Sequence, residues 1–329
     1  MDITVVGAGG WGTALACLLV SNGHRVTLWS WQRHDAEQML KERENRAFLP
    51  GVSLPPELEI TSDLKAVSGR ELVLFAVPSA VMSGVAEQAA PMISPSAVVV
   101  NAAKGLVPVS LRRMSEVLQE LLPENPVCVL SGPSHAEEVA RFLPAAVCVA
   151  GYDQAACKQA QDVFMNSRFR VYTSPDLIGV EIGGAIKNIV ALASGVCDGL
   201  GLGDNTRAAL MTRGLAEMKR LGLAMGAQAD TFAGLTGMGD LIVTCTSQHS
   251  RNYRTGREIG RGRKWRDVLA ETEMVVEGVY ATDCAYALSH RLGVEMPITD
   301  QMYRILYEDQ DPLSAMCELM TRRRTEEAD

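Results

Sequence analysis

Residues 2–6 read Asp-Ile-Thr-Val-Val, a short β-branched run. Gly7-Ala8-Gly9-Gly10-Trp11-Gly12 follows, and then the apolar stretch Thr13-Ala14-Leu15-Ala16-Cys17-Leu18-Leu19. Strand, G-x-G-x-x-G turn and helix in that order open a βαβ unit that binds a dinucleotide. Gly7 permits the tight turn, Gly9 lets the backbone approach a pyrophosphate, and Gly12 lets the helix pack close to the strand. The helix N-terminus adds free N–H groups and a positive dipole end. The alternative is a merely tight βα turn, and the strand and helix on either side argue against it. The first part of the chain is thereby committed to a mainly parallel sheet with helices on both faces.

Asn22-Gly23 closes the first helix, and Arg25-Val26-Thr27-Leu28-Trp29 is the second strand. A site specific for NAD usually carries an acid at the end of that strand, for the ribose hydroxyls. Here the tip is Ser30-Trp31-Gln32-Arg33-His34, and the first acid is Asp35. Arg33 is therefore expected to meet a 2′-phosphate, with NADPH preferred and NADH as the alternative. The other reading of Arg33 is an exposed loop charge. Residues 41–56 read as a helix followed by a long connection. Residues 72–77 are apolar throughout, as strands buried on both faces are. Residues 97–101 form another strand, running into Ala102-Ala103-Lys104-Gly105. Open α/β sheets bind ligands beyond the carboxyl ends of their strands, so Lys104 is placed to meet an anionic group. Its alternative is a solvated loop lysine. Residues 127–130 are a further strand, after which Ser131-Gly132-Pro133-Ser134-His135-Ala136-Glu137 sets up a helix. Ser134 and Glu137 have capping-box spacing, and His135 reads as packing in the first turn. Residues 145–149 and 169–173 are the last strands.

After Pro175 the strand-like runs stop and helical patterns fill the chain. We divide it into residues 1–174 and residues 175–329. Residues 180–194, Val-Glu-Ile-Gly-Gly-Ala-Ile-Lys-Asn-Ile-Val-Ala-Leu-Ala-Ser, read as a helix that is apolar nearly all round and so normally buried. Lys187 stands in its middle. Its neighbours at helical spacing are Gly183, Gly184, Val190 and Ala191, small enough for close approach. An unpaired buried ammonium is costly or shifts its pKa. The lysine therefore snorkels, pairs with one acid, or is functional. Each glycine costs a helix about 1 kcal/mol relative to alanine, so the adjacent pair favours close approach by a ligand or another backbone. An amphipathic helix over residues 206–221 follows a glycine-rich turn. Gly234-Leu235-Thr236-Gly237-Met238-Gly239-Asp240 reads as a flexible segment ending in an acid. Ser250-Arg251-Asn252 reads as the start of another helix. Arg251 offers a forked guanidinium to a phosphate, and adjacent N–H groups add to it. The alternatives are a turn acid for Asp240 and a surface charge for Arg251.

With 329 residues the chain is long enough for two domains and a substantial core. Its net charge is −8 and no basic run forms a patch, which argues against nucleic acid as a partner. Arg322-Arg323-Arg324 is followed at once by Glu326 and Glu327 and reads as a solvated helix end. None of the eight cysteines forms a C-x-x-C pair and several lie in apolar runs, the usage of a reducing compartment, so a cytoplasmic location is expected. The five histidines fall in no zinc-ligand spacing, and no metal is expected. The uncharged residues 72–85 are broken by Pro78 and Ser79 and read as a strand and helix start, so no stable membrane insertion is expected. The first strand begins almost at Met1, so no signal peptide is expected.

Several ordered blocks carry a specific likeness: GAGGWGTALA from Gly7, AAKGL from Ala102 and SGPSHAEE from Ser131. In the second half they are GVEIGGAIKNIVALASGVCDGLGLGDNTRAALMTRGLAEM from Gly179, GLTGMGDLIVTCTSQHSRN from Gly234 and VVEG from Val275. Over nearly its full length the chain resembles the bacterial NAD(P)-dependent glycerol-3-phosphate dehydrogenases. That resemblance implies an N-terminal Rossmann domain and an all-helical C-terminal domain of the 6-phosphogluconate dehydrogenase-like type, in a homodimer. It implies reduction of dihydroxyacetone phosphate to sn-glycerol 3-phosphate with NADPH or NADH, supplying phospholipid synthesis. Carried over by position, Lys187 looks like the catalytic acid–base. Lys104, Gly132, Ser134, Lys187, Asp240, Ser250, Arg251 and Asn252 look like substrate contacts. Gly7, Gly9, Gly10, Trp11, Gly12, Trp31, Arg33, Lys104, Ala136, Arg251, Val275 and Glu277 look like cofactor contacts. The chain departs from the family at three of these: position 10 is often serine, position 134 often threonine, and some members have a polar residue at position 31. A β-hydroxyacid dehydrogenase, acting on a carboxylate, is the second enzyme reading. A redox sensor that binds NAD(P)H without chemistry is a third.

Overall fold

A computed structural model describes residues 1–272, 274–324 and 326–327. The chain opens with β1 (Asp2–Val6), α1 (Gly10–Ser21), β2 (Arg25–Trp29) and α2 (Arg33–Glu42). The stretch read as a long connection holds a small antiparallel hairpin, β3 (Glu44–Asn45) and β4 (Leu49–Ser53). Then come β5 (Glu59–Thr61), β6 (Leu72–Phe75), α3 (Met82–Ala89), β7 (Val98–Asn101), α4 (Met114–Leu121), β8 (Val127–Ser131), α5 (Ala136–Ala140), β9 (Ala145–Gly151), α6 (Gln154–Phe164) and β10 (Phe169–Ser174). Eight strands make one sheet in the order β10-β9-β8-β7-β6-β1-β2-β5. All neighbours are parallel except β8 and β9. The chain leaves β1 towards β2 and later returns on its other side at β6. The switch point of this Rossmann sheet therefore lies beyond the carboxyl ends of β1 and β6.

Side chains alternate faces along each strand. Ile3, Val5, Leu72, Leu74, Val98 and Val100 pack with Leu15, Leu18 and Leu19 of α1 and Phe164 of α6. Val73, Phe75 and Val99 pack on the opposite face with Met82 and Val85 of α3 and Leu118 of α4. Burial on both faces is why these strands read as unbroken apolar runs.

The remaining elements are helical: α7 (Leu177–Gly199), α8 (Asp204–Ala224), α9 (Ala229–Ala233), α10 (Asp240–Thr246), α11 (Arg251–Gly260), α12 (Trp265–Ala270), α13 (Glu277–Leu292), α14 (Pro297–Tyr307) and α15 (Pro312–Met320). The Asp176 side chain caps α7 by accepting from the Gly179 N–H. Every residue of α7 except Ile178, Asp198 and Gly199 is buried. Among the described residues α7 alone is long and apolar enough to cross a membrane, but 94% of its most apolar window is buried inside the protein. Glycines set how α11 crosses it. A Cβ at Gly195 or Gly199 would collide with the Tyr253 or Arg257 carbonyl of α11. One at Gly256 or Gly260 would collide with the Leu192 or Val196 carbonyl of α7. Backbone thus lies directly on backbone. Seven of the eight cysteines are buried and Cys317 is exposed; all are free.

Candidate active site

The glycine turn comes first because β1 delivers it to the switch point. A Cβ at Gly7, whose φ is +121°, would lie 2.8 Å from the Ala76 carbonyl, and one at Gly12 would strike the Gly7 carbonyl. Nothing stands within 4 Å of a Cβ at Gly9. Packing thus demands glycine at positions 7 and 12, whereas Gly9 faces open space. At Gly10 a Cβ would stand 2.6 Å from the Phe48 carbonyl and 3.7 Å from the Ala136 side chain. The hairpin that carries Phe48 also braces the turn, for Asn45 Nδ2 donates to the Ala8 carbonyl and to Thr13 Oγ1, each at 2.8 Å. Trp11 Nε1 in this turn is buried with no hydrogen-bond partner. An open backbone at a helix N-terminus suits a dinucleotide. At the tip of β2, Trp31 is 69% exposed and stands edge-on to Trp29 at 6.3 Å. Arg33 donates to Glu37 at 2.7 Å, with its side chain 84% exposed.

The second group gathers around Asp240, which is 1% exposed. Lys187 Nζ of α7 donates to its Oδ1 at 2.5 Å, and Lys104 Nζ, just beyond β7, donates to its Oδ2 at 2.8 Å. Lys104 also donates to the Gly132 carbonyl at 2.8 Å and approaches Ser134 Oγ at 3.4 Å. Lys187 donates further to Thr244 Oγ1 at 2.8 Å. Five residues singled out in the sequence thus converge: Lys104, Gly132, Ser134, Lys187 and Asp240. Burial pushes the Lys187 ammonium down, Asp240 pulls it up, and Lys104 pushes it down again, so its pKa falls to about 7. Burial acts upward on Asp240, but Lys104 and Lys187 outweigh it and hold the carboxyl below its usual range.

The third group lies at the start of α11. Ser250 caps that helix by accepting from the Tyr253 N–H, so the Arg251 and Asn252 N–H groups precede its first internal bond, Arg254 N–H to the Ser250 carbonyl. Arg251 donates to the Val275 carbonyl at 2.8 Å. Asn252 turns both ends of its amide onto protein, donating to Asn188 Oδ1 at 2.9 Å and accepting from the Gly278 N–H at 2.8 Å. Glu277 accepts from the Ser79 N–H at 3.0 Å and Ser79 Oγ at 2.5 Å, across from the end of β6. Burial raises the Glu277 carboxyl above its ordinary value.

Three local readings need correction. The capping box of Ser134 and Glu137 does not form: α5 begins at Ala136 with His135 as N-cap, and Ser134 Oγ turns back to the Gly132 carbonyl at 2.9 Å. His135 does not pack within its own turn. Its Nε2 stands 3.4 Å from the Val243 carbonyl of α10, and its ring lies 5.7 Å from that of His249. The segment read as flexible, Leu235–Gly239, is an ordered turn of π-helix. Its Thr236 carbonyl is 2.5 Å from where a Cβ of Gly183 would be, so it is the other backbone that this glycine admits. Sequence reasoning missed Thr244, Asn188, Ser79 and Asn45. Thr244 lies one helical turn beyond Asp240 and Asn188 directly follows Lys187, so both were within reach of an argument about what the two ionised groups bond. No local signal marked Ser79 or Asn45.

Comparison with known proteins agrees with this arrangement. Residues 2–157 match the family model for the NAD-dependent glycerol-3-phosphate dehydrogenase N-terminus, and residues 176–317 match that for its C-terminus. The chain is 52% identical over 329 residues to the glycerol-3-phosphate dehydrogenase [NAD(P)+] of Pelotomaculum thermopropionicum, covering 99% of this chain and 94% of that one. It is 52% identical to the same-named protein of Geobacter sulfurreducens, covering 97% of each. The crystal structure of glycerol-3-phosphate dehydrogenase from Coxiella burnetii, 41% identical, superimposes with a TM-score of 0.95 over 97% of this chain and 98% of that one. With both halves matched in order and the paired lysines joined through one buried carboxylate beside a dinucleotide turn, the chain belongs to the NAD-dependent glycerol-3-phosphate dehydrogenase family.

Proposed function

We propose that this chain interconverts dihydroxyacetone phosphate and sn-glycerol 3-phosphate, with Lys187 as acid and base. One observation carries the reading: Lys187 is 5% exposed, has a pKa lowered to about 7, and shares Asp240 with Lys104 at the carboxyl ends of the strands. The turn from Gly7 through Gly9, Gly10 and Trp11 to Gly12, with Ala136 opposite, would hold the pyrophosphate of the cofactor. Trp31 and Arg33 would face its adenosine end, and Lys104, Arg251, Val275 and Glu277 its nicotinamide half. A bound nicotinamide supplies or accepts the hydride at C2 of the substrate. In reduction, protonated Lys187 gives its Nζ proton to the oxygen on which charge develops. In oxidation, neutral Lys187 takes the hydroxyl proton. Asp240 keeps both ammonium groups aimed at one point. Lys104, the Gly132–Ser134 turn and Asp240 hold the reacting end of the substrate. Ser250, Arg251 and Asn252 present a helix N-terminus and a guanidinium to its phosphate.

The exposed Arg33 supports a preference for NADPH over NADH. We place the division between the cofactor and substrate domains at residues 174 and 175, the protein in the cytoplasm as a homodimer, and its product in phospholipid synthesis. The test is nicotinamide absorbance with dihydroxyacetone phosphate and either cofactor. Loss of signal with this substrate, and none with unphosphorylated dihydroxyacetone, is the expected result. Turnover of β-hydroxyacids instead would replace the reading. Equal rates with NADH and NADPH, unchanged in Arg33→Ser, would remove Arg33 from the cofactor site.

A further inference from the structure

Positions 181, 184 and 188 of α7 have the i, i+3, i+7 spacing of one helix face. Glu181, 6% exposed, accepts from the Arg113 guanidinium at 2.7 Å, the Ser115 N–H at 2.9 Å and Ser115 Oγ at 2.5 Å. Gly184 has no side chain, and the Lys104 stem passes there, with Cγ 3.6 Å from an ideal Cβ. Asn188 Nδ2 reaches the Lys104 carbonyl at 3.4 Å. The segment between Lys104 and Arg113 closes on itself. Leu106 pairs with Arg113 as an isolated β-bridge, the Val107 N–H donates to the Arg112 carbonyl, and the Leu111 N–H donates to the Val107 carbonyl. Leu106, 1% exposed, sits in the core of the helical domain, with Leu111 packed against it. Val109 and Leu111 hold φ of +68° and +59°, a conformation branched side chains resist. The loop keeps this shape because both its ends and the Leu106 and Leu111 side chains are anchored, while Val109 at its tip is exposed.

We propose that Glu181 is a positioning residue: its ion pair with Arg113 seats the 104–113 loop on α7 and so sets where the Lys104 ammonium stands beside Asp240 and Lys187. The inference rests on the roles given above to Lys104, Asp240 and Lys187. Glu181 touches none of those three side chains and acts through the backbone of the loop. A buried ion pair contributes little net stability compared with apolar residues of the same volume, and its best-attested use is to fix register. Register is what this loop needs, because Lys104 has a flexible four-carbon stem and only a held backbone returns its Nζ to the same place.

The ionisable groups facing Lys187 are Asp240, Lys104, His135 and Cys245. Withdrawing Lys104 removes a cation and leaves Asp240 wholly to Lys187, and both changes favour the ammonium form. The acid limb of kcat/KM for glycerol 3-phosphate oxidation, which requires neutral Lys187, then moves to higher pH. The experiment compares the full-length wild type with Glu181→Gln, Ser115→Ala and Lys104→Met by pH profile, substrate KM and Tm. We expect Lys104→Met to move the limb up by about one pH unit. Glu181→Gln should move it the same way with a raised KM, and Ser115→Ala should do so by less. If Lys104→Met moves the limb while Glu181→Gln and Ser115→Ala lower Tm alone, the positioning role is overturned and the role of Lys104 stands. If Lys104→Met leaves the limb in place, the reading of Lys104 falls and takes this inference with it. Should Glu181→Gln fail to fold, Ser115→Ala decides between the same two outcomes.

Discussion

The acid–base role proposed for Lys187 suits a buried charge, 5% exposed, with two competing neighbours. Asp240 stabilises its ammonium while burial and Lys104 oppose it, so both protonation states are populated near neutrality. A proton donor and acceptor works best in that range. Replacing Lys187 with alanine should lower kcat by about a hundredfold to ten-thousandfold while circular dichroism stays that of the wild type. Near-normal turnover in that variant would falsify the assignment. The sign of the pH dependence follows from which form each direction needs. Oxidation should gain kcat/KM as pH rises through about 7, because the fraction of neutral Lys187 grows. Reduction should lose it over the same interval as the donor disappears. Two profiles that rise together would assign the limb to another group. The charge in an apolar helix was visible in the linear chain. Its counter-ion was not, because Asp240 lies 53 positions away and nothing local marks which acid a lysine meets.

The elements that hold these residues are set by close backbone contact. The crossing of α7 and α11 depends on glycine at 195, 199, 256 and 260, and it places the start of α11, proposed above to meet the substrate phosphate, over the lysine helix. Gly256→Ala should push the helices apart and cost about 1–3 kcal/mol, the usual penalty of overpacking. Thermal unfolding would measure the stability loss. Substrate KM should rise with it, since Arg251 and Asn252 ride on the displaced end; a lowered Tm with unchanged KM would mean that α11 slides without moving its N-terminus. Sequence patterning located the lysine helix and the start of α11, but gave no reading of Gly256 or Gly260, because the backbone that needs them lies on another helix. The false capping box at Ser134 has the same origin. The residue spacing suits a cap, yet Lys104 and the Gly132 carbonyl claim the hydroxyl.

Across the whole molecule the two parts share their interiors. Leu106 and Leu111 of the sheet domain pack in the helical core. Arg113 is buried against Glu181, and Ser79 is bonded to Glu277. Neither part keeps a complete core or a satisfied set of polar groups when separated. Calorimetry should therefore show one unfolding transition whose calorimetric and van't Hoff enthalpies agree. Two resolved transitions would mean that these contacts are too weak to couple the domains. A saturating nicotinamide cofactor should raise that single Tm, because binding to the folded form alone stabilises it.

Local pattern was enough for the alternation of buried strands and helices, the glycine turn after β1, the change to helices after Pro175 and the anomaly of Lys187. Each rests on periodicity or backbone freedom within about one element, which neighbours along the chain already specify. The hairpin that braces the turn, the π-helical segment beside Gly183, the bonding of Lys104 and Lys187 to one carboxylate and the seating of the 104–113 loop by Glu181 were beyond it. Those features are contacts between residues far apart in the chain, and their energies depend on burial and on which groups are brought within hydrogen-bond distance. Folding creates both conditions, so Lys187 was legible early as a misplaced charge, and the groups that hold it were decided by the tertiary structure.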